Sequence, residues 1–266
     1  MGHSAGVVRV ENLHKSFGRL RVLQGITLTV PRGKTTVVLG PSGCGKSVLL
    51  KHLVVLLRPD KGRVYFEDQR VDTMPEHLLG PVRRRFGFLF QQGALFDSMS
   101  VRDNVRFPMK EAGVPQDDWS AERVRHVLRM VGLEEAIEKM PAELSGGQQK
   151  RVALARAIVL EPQVILYDEP TTGLDPIRSD IINELILKLS RQLEITSIVV
   201  THDLASAFKI ADRMVMLHEG HVLLEGTPEE FRRSDDAVVR RFLRGEASDE
   251  DLAAIRATVG KVRSKK

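Results

Sequence analysis

The sequence has a single cysteine, Cys44, and aromatic residues make up only 5% of its 266 residues. One thiol forms no internal disulfide, which excludes a small secreted protein held together by disulfides. The low aromatic content argues against a stacking surface for single-stranded nucleic acid. Lys and Arg total 40 against 35 Asp and Glu, scattered among each other, so the net charge is only +5. We therefore expect no direct contact with nucleic acid.

Long hydrophobic runs are also missing. The most apolar window, residues 48–57, is interrupted by Lys51 and His52, and a membrane-spanning helix needs about 18 apolar residues. Residues 1–6 lack the basic segment and apolar run of a secretory signal. We therefore expect a chain that does not cross a membrane by itself and is not exported.

Hydrophobic residues make up 42% of the chain, which is enough for a substantial core. Residues 164–167 and 198–200 are apolar on both faces, as in parallel strands covered by helices on each side. The earlier runs at 7–13 and 26–30 alternate, as in an antiparallel edge. A helical pattern follows at residues 45–57. The sequence thus predicts an α/β fold with a mostly parallel core sheet and an antiparallel side sheet.

A helical subdomain is predicted inside this α/β core, at about residues 97–145. No strand pattern occurs between 91 and 145, and residues 121–131 and 134–140 have helical patterns. We expect this subdomain to belong to a main domain of residues 1–245. A helical extension at 246–266 follows, because Ser248 precedes Asp251 as in a capping box and Leu252, Ile255, Val259 and Val262 share one helical face.

A glycine-rich segment between a predicted strand and a predicted helix is the most informative motif. Its residues are Gly40, Pro41, Ser42, Gly43, Cys44, Gly45, Lys46 and Ser47, which fit G-x-x-x-x-G-K-[ST]. Such glycines let backbone N–H groups surround phosphate oxygens, and the following helix points its positive end at them. We expect Lys46 to neutralise the β- and γ-phosphates and Ser47 to bind Mg²⁺. Cys44 is interpreted as a small side chain that the loop tolerates.

Two acidic residues, Asp168 and Glu169, end the apolar run at 164–167. Their position predicts that both carboxylates lie at the carboxyl edge of the parallel sheet, where α/β proteins bind ligands. Asp168 can then contribute to the Mg²⁺ shell. Glu169 can accept a proton from the water that attacks the γ-phosphate.

Residues 144–148, Leu-Ser-Gly-Gly-Gln, resemble the signature sequence of the nucleotide-binding subunits of ABC transporters. The resemblance implies an ABC-type phosphate-loop ATPase that uses ATP and Mg²⁺. It also implies a head-to-tail homodimer in which the helix N-terminus at Ser145 and Gly147 contacts the γ-phosphate held by the opposite subunit. Gly146 and Gln148 belong to the same binding segment.

Further positions match the family one by one. Phe17 resembles the aromatic residue that stacks on adenine, and Gln91 resembles the residue that senses Mg²⁺ and water and couples to the membrane subunit. Asp175 resembles the residue of the loop that crosses the dimer interface. His202 resembles the switch residue that contacts the γ-phosphate. Val48 follows the phosphate loop where a second hydroxyl residue is common, and Ser47 still supplies the hydroxyl for the metal. The resemblance therefore implies Glu169, His202, Gln91 and Lys46 as catalytic residues, with Ser47, Gln91 and Asp168 at the metal.

Residues 90–105, 45–51, 167–177 and 241–245 resemble the ATPases that partner MCE-domain lipid transporters, the Mla phospholipid systems. This implies an integral-membrane permease, an MCE-domain protein, a small STAS-domain protein and a place on the cytoplasmic face of the inner membrane. An importer for amino acids or another polar solute remains an alternative, since its ATPases share most of these motifs. A soluble ABC protein acting on ribosomes or DNA is a remote alternative, because two cassettes or a long coiled coil do not fit in 266 residues.

Overall fold

Two β-sheets organise the protein, and the computed structural model describes residues 6–91 and 93–247. The strands are β1 (Gly6–Phe17), β2 (Leu20–Pro31), β3 (Thr35–Leu39), β4 (Lys61–Phe66), β5 (Gln69–Arg70), β6 (Phe86–Leu89), β7 (Val164–Asp168), β8 (Thr196–Val200), β9 (Arg213–His218) and β10 (His221–Gly226). The α-helices are α1 (Lys46–Leu53), α2 (Leu79–Arg83), α3 (Val101–Glu111), α4 (Asp118–Met130), α5 (Gly146–Ile158), α6 (Pro176–Gln192), α7 (Leu204–Ile210), α8 (Pro228–Arg233) and α9 (Ala237–Arg244). Within the two described ranges, no helix has the length and apolarity needed to span a membrane.

The larger sheet has six strands in the order β10-β9-β3-β8-β7-β6, and only the β9–β10 pair is antiparallel. Every residue of β3, β7 and β8 is buried. Successive side chains point to opposite faces, so Val37 and Leu39 join one apolar cluster while Val38 joins the other. This sheet confirms the predicted mostly parallel core.

The smaller sheet is antiparallel, with the order β2-β1-β4-β5. Buried residues alternate with more exposed ones along β2, as the alternating pattern predicts. At one edge the two sheets are joined, because the backbone N–H of Gln24 on β2 donates to the carbonyl of Gly220 at 2.8 Å. The side chain of Gln24 also donates to the carbonyl of Glu219 at 2.9 Å. The antiparallel sheet is thereby fixed beside the carboxyl edge of the parallel one.

Of the two helices predicted between residues 91 and 145, the structure contains one. The helix predicted at 121–131 is α4, which begins earlier because Asp117 caps it by accepting from the N–H of Ser120 at 2.8 Å. The helix predicted at 134–140 is wrong, since only one 3-10 turn, Glu134–Ala136, forms there. Met140 is extended because Pro141 follows it and disfavours helical geometry in the preceding residue.

Helix α3 was not predicted as a separate element. Ser100 caps it by accepting from the N–H of Asp103 at 3.1 Å, and Pro108 lies within it. Its buried residues Val101, Val105 and Met109 belong to the same cluster as the apolar face of α5. The helical subdomain therefore packs onto the helix that precedes β7.

The predicted domain boundary falls at Gly245, which ends α9 with a left-handed backbone conformation. Gly is common at this position because it has no Cβ. Residues 248–266, which hold most of the predicted helical extension, lie outside the described residues. The boundary and the extension therefore stay predictions.

Candidate functional site

The phosphate loop connects β3 to α1, and its geometry requires glycine at two positions. Gly40 has φ +146, and a Cβ there would lie 2.3 Å from the carbonyl oxygen of Leu217. Gly45 has φ +102, and a Cβ there would lie 2.7 Å from the side chain of Leu23. Both backbone conformations favour glycine. At both positions an added Cβ would lie closer to its neighbour than real Cβ atoms do. The glycines are thus required by the backbone before any ligand is considered.

Lys46 lies at the first position of α1 and is 8% exposed. Its Nζ donates to the carbonyls of Gly40 at 2.8 Å and Pro41 at 2.9 Å. The ammonium therefore closes the loop from inside and holds a positive charge at the helix N-terminus, where free N–H groups also favour anions. Helix α1 ends at Leu53, four residues before the predicted end. Pro41, Ser42 and Gly43 form the exposed tip of the loop.

Ser47 and Asp168 meet at the carboxyl edge of the sheet. The Ser47 hydroxyl donates to Oδ1 of Asp168 at 2.8 Å. Burial raises the pKa of the Asp168 carboxyl and nearby Glu169 adds to this, while the Ser47 hydrogen bond and the charge of Lys46 oppose it. A hydroxyl and a buried carboxylate are oxygen ligands that suit Mg²⁺. The pair therefore fits a divalent cation shared with phosphate oxygens.

Glu169 follows directly and has φ +52, a left-handed conformation that costs free energy in a residue with a side chain. Its Oε2 accepts from the hydroxyls of Thr172 at 3.1 Å and Thr201 at 3.4 Å. The ring Nδ1 of His202 lies 2.9 Å from the same oxygen. The structure thus brings the predicted base and the predicted switch residue into direct contact.

Lys150 is a residue at this site that the sequence reasoning missed. It lies on α5, is 6% exposed, and its Nζ donates to the backbone carbonyls of Gln91 and Glu169, the latter at 3.3 Å. Burial lowers the pKa of its ammonium, and the carboxylates of Glu169 and Asp168 oppose this. The sequence gives no signal for this role, because Lys150 is one of several basic residues along α5. This contact holds the backbone of Gln91 beside the backbone of Glu169.

The predicted signature segment begins α5. Ser145 caps the helix, because its side chain accepts from the N–H of Gln148, and the Gln148 side chain accepts from the N–H of Ser145 at 2.9 Å. This reciprocal arrangement is a capping box. Gly146 and Gly147 occupy the first turn, where backbone N–H groups have no partner in the helix. The helix therefore presents small residues and free donors at its positive end.

Asp175 lies beside the signature segment. It caps α6 by accepting from the N–H of Arg178 at 2.9 Å, and the two side chains form an ion pair at 3.3 Å. Ser145, Gly147, Gln148 and Arg178 line a cleft of about 120 Å³, and the described lining includes no residue of the phosphate loop. The predicted binding residues thus form two groups within one chain. Lys46, Ser47, Asp168, Glu169 and His202 belong to one group, and Ser145, Gly147 and Gln148 belong to the other. Asp175 is linked to the second group through Arg178.

Phe17 and Val48 lie at the margins of the phosphate loop. Phe17 ends β1, is 47% exposed, and has the ammonium of Lys15 at 5.6 Å from its ring centre. Val22 and Leu23 of β2 lie against Gly45, which places the β1–β2 hairpin beside the loop. Val48 is partly buried against an apolar cluster. An exposed ring beside a phosphate loop is chemically suited to stacking on a flat base.

An aromatic groove of about 410 Å³ lies next to Gln91. The rings of Phe88 and Phe90 stack at 4.1 Å along one side, and Phe96 and Phe107 also line it. Arg156 borders the groove and donates to the carbonyls of residues 93 and 94 at 2.7 and 2.9 Å. Phe90 and Phe96 are each 39% exposed. The groove therefore offers a mostly apolar surface between the sheet and the helical subdomain.

Comparison with known proteins assigns this arrangement to a family. Residues 23–172 match the ABC transporter family. The Probable ribonucleotide transport ATP-binding protein mkl of Mycobacterium tuberculosis is 43% identical over 92% of this chain and 68% of its own length. The Intermembrane phospholipid transport system ATP-binding protein MlaF of Haemophilus influenzae is 42% identical over 91% of both chains.

A solved structure agrees with these sequence relatives. The ATP-binding cassette MJ0796, in a dimeric post-hydrolysis state bound to ADP and Pi, is similar with a TM-score of 0.76 and 33% identity. The similarity covers 83% of this chain and 98% of that one. This match confirms the predicted fold class across most of the chain.

Proposed function

The chain belongs to the ABC transporter family as an ATP-binding and ATP-hydrolysing subunit, and we propose that it powers the transport of phospholipids between bacterial membranes. The observation that carries the proposal is the 42% identity with MlaF over 91% of both chains. The ATP-hydrolysing part of the proposal is supported by the phosphate loop, the Ser47–Asp168 pair and the Glu169–His202 contact.

ATP hydrolysis is assigned to the carboxyl edge of the parallel sheet. The phosphate loop and Lys46 bind the phosphates through backbone N–H groups and the ammonium. Ser47 and Asp168 would hold Mg²⁺ with Gln91, and the ion supplies charge neutralisation of the phosphates. Glu169 accepts the proton of the attacking water while Thr172 and His202 orient its carboxylate. Phe17 holds the adenine by stacking.

A homodimer completes each site. The signature segment lies in a cleft separate from the phosphate loop of its own chain, so its free N–H groups are available to a nucleotide bound by a second copy. A two-fold axis then gives two identical shared sites. The dimeric state of the similar cassette MJ0796 supports this arrangement, and Asp175 lies at the same interface.

The aromatic groove is the proposed docking site of an integral-membrane permease. It is apolar, partly exposed and adjacent to Gln91, so a partner helix seated there contacts the segment that leads into the hydrolytic site. An MCE-domain protein and a small STAS-domain protein complete the proposed assembly. The subunit then acts at the cytoplasmic face of the inner membrane.

The second candidate function is the import of a polar solute. The mycobacterial relative, named as a probable ribonucleotide transport ATP-binding protein, favours it. Both candidates use the same ATPase chemistry, because substrate choice belongs to the permease and its external partner. They differ in the proteins and small molecules that the complex retains.

Affinity purification of the native complex from membranes tests the proposal. The chain carries a tag, and the retained proteins and lipids are identified by mass spectrometry. We expect a permease, an MCE-domain protein and bound phospholipid. A permease with a soluble solute-binding protein would favour the importer, and ribosomes or DNA alone would overturn transport.

Matched variants sharpen the same experiment. Phe96→Asp introduces a charge into the groove and should lose the permease while retaining ATP binding. Leu78→Asp makes the same change at a comparably exposed apolar residue, 48% exposed and outside the groove, and should retain the permease. Equal recovery with both variants would place the docking site elsewhere.

A further inference from the structure

Lys150 connects three parts of the molecule. It projects from α5, the helix that begins with the signature segment. Its Nζ reaches the carbonyl of Gln91 after β6 and the carbonyl of Glu169 after β7. One ammonium therefore contacts the backbone just after two neighbouring strands, β6 and β7.

Such a cation is costly to keep in the interior. Removing an ammonium from water is unfavourable unless hydrogen bonds and nearby opposite charge compensate for the lost hydration. Here two carbonyls accept hydrogen bonds from the ammonium, and the carboxylates of Asp168 and Glu169 lie near enough to favour its charged form. An apolar side chain at this position would avoid the cost but would leave both carbonyls without this donor.

The contact with Glu169 bears on the orientation of the carboxylate. Glu169 has a left-handed backbone, which persists only where the surrounding structure fixes it. Its N–H donates to the carbonyl of Val200 at 2.9 Å, and Lys150 binds its carbonyl. The peptide groups on both sides of this Cα are thus held, one by the sheet and the other by Lys150 of α5 together with the N–H of Thr172 at 3.3 Å.

Helix α5 holds the segment after Gln91 as well. Arg156 donates to the carbonyls of Gly93 and Ala94. Ala153 lies between Lys150 and Arg156 on the same face, and a Cβ on Gly93 would lie 3.5 Å from its methyl group. A shift of α5 therefore displaces this segment and the carbonyl of Glu169 together.

We propose that Lys150 is a positioning residue that aligns Glu169 and the Gln91 segment with the signature helix. The inference rests on the proposed function, in which the N-terminus of α5 serves the nucleotide of a second copy. Through Lys150, the placement of the carboxylate in one site depends on the helix that completes the other site. Lys150 itself contacts neither nucleotide nor water in this role.

The test compares three variants of the full chain in steady-state ATP hydrolysis. Lys150→Met keeps the length and apolar stem but removes the donors, and we expect kcat to fall about tenfold or more with KM for ATP changed less than about threefold. Lys150→Arg restores donors to both carbonyls and should recover most of the lost kcat. A lower kcat with a nearly unchanged KM is the expected result when Glu169 is misplaced, because the base acts in the chemical step and not in ATP binding.

Arg123→Met is the matched control. Arg123 is also a largely buried cation that donates to two carbonyls of the α5 region, those of Ile158 and Val159 at 3.2 and 3.0 Å, far along the helix from the signature. We expect its melting temperature to fall about as far as that of Lys150→Met while its kcat stays within about twofold of the wild type.

Three outcomes would overturn the proposal. These are an unchanged kcat in Lys150→Met, a loss of kcat that Arg123→Met shares, or a failure of Lys150→Arg to recover activity. The wild type and Glu169→Gln are measured in the same assay. If those two hydrolyse ATP equally, the assignment of Glu169 has failed, which is distinguishable from a failure at Lys150.

Discussion

At the residue scale, Glu169 combines a left-handed backbone with a tightly surrounded carboxylate oxygen. This oxygen accepts hydrogen bonds from the hydroxyls of Thr172 and Thr201 and contacts the ring Nδ1 of His202. These contacts restrict the side chain to one orientation, so the reacting geometry is set before a nucleotide binds. An amide keeps the shape and the acceptor oxygen but takes no proton at neutral pH. Replacing Glu169 by glutamine therefore separates ATP binding from ATP hydrolysis.

Glu169→Gln should lower ATP hydrolysis about a hundredfold or more, because it removes a general base. ATP binding should persist, and ATP should hold the variant as a dimer. Hydrolysis assays and size-exclusion chromatography with ATP measure the two effects. Glu194→Gln is the control, since Glu194 is also a left-handed glutamate but is exposed after α6. Hydrolysis at the wild-type rate in Glu169→Gln would exclude its role as the base.

Cys44 provides a pH-dependent probe of the phosphate loop. It is the single cysteine of the chain and is buried, and burial raises the pKa of its thiol while the charge of Lys46 opposes this. Only the thiolate reacts, so a raised pKa means slow alkylation near neutral pH. The alkylation rate should keep rising above about pH 8.5, where an ordinary thiol is half ionised.

The rate of iodoacetamide labelling, followed by intact-protein mass spectrometry across pH, measures this prediction. The same protein unfolded in guanidinium is the control, and its labelling should level off at the ordinary thiol pKa. Identical pH profiles for the folded and unfolded protein would show that the thiol is accessible and unperturbed.

The site was predictable where the chemistry is local in sequence. The phosphate loop, Asp168 and Glu169 are recognised because glycines, Lys46 and the acidic strand end occupy fixed positions along the chain. Lys150 was not predictable, because its role depends on three separate elements meeting around one buried ammonium. His202 needed the family resemblance, since a histidine after a strand has no distinctive local signal.

At the element scale, the strands of the parallel sheet were the most predictable part. Strands β3, β7 and β8 are apolar throughout because both of their faces are covered. The helical subdomain was less predictable. Helix α3 contains Pro108, a residue that usually interrupts helices, and the apolar pattern at 134–140 does not reveal the constraint from Pro141.

Helix α5 has different functions along its length. Its first turn carries the small signature residues, while Lys150 further along and Arg156 in the last turn bind the segment after β6. Packing of α3 against it adds the helical subdomain to the same body. The sequence predicts the helix start, but only the structure reveals these lateral contacts.

At the scale of the whole molecule, we propose that each chain carries two separate halves of a nucleotide site. The described lining of the cleft that holds Ser145, Gly147 and Gln148 includes no residue of the phosphate loop, so the proposed site needs two copies of the chain. This arrangement gives a test in which two inactive proteins are mixed.

Mixing Lys46→Ala with Ser145→Ala should restore ATP hydrolysis that neither variant has alone. In a mixed dimer, the intact phosphate loop of one chain meets the intact signature of the other. An equal mixture should reach at most about a quarter of the wild-type rate, because half of the pairs are mixed and each has one intact site. The hydrolysis rate is measured against the mixing ratio.

Lys46→Ala mixed with Glu169→Gln is the matched control. Lys46 and Glu169 belong to the same half-site, so no mixed pair of these two variants regains a complete site. Restoration in the control, or none in the first mixture, would contradict a site shared between chains.

The place of the helical subdomain has an evolutionary consequence. It is inserted between β6 and β7, which are neighbours in the parallel sheet and pair from Phe86 with Val164 onwards. Exchange of the part that precedes the signature, about residues 97–143, leaves the order of the strands and helix α5 in place. Changes within that part can therefore alter the proposed permease-docking surface while the strands that carry the hydrolytic residues are kept.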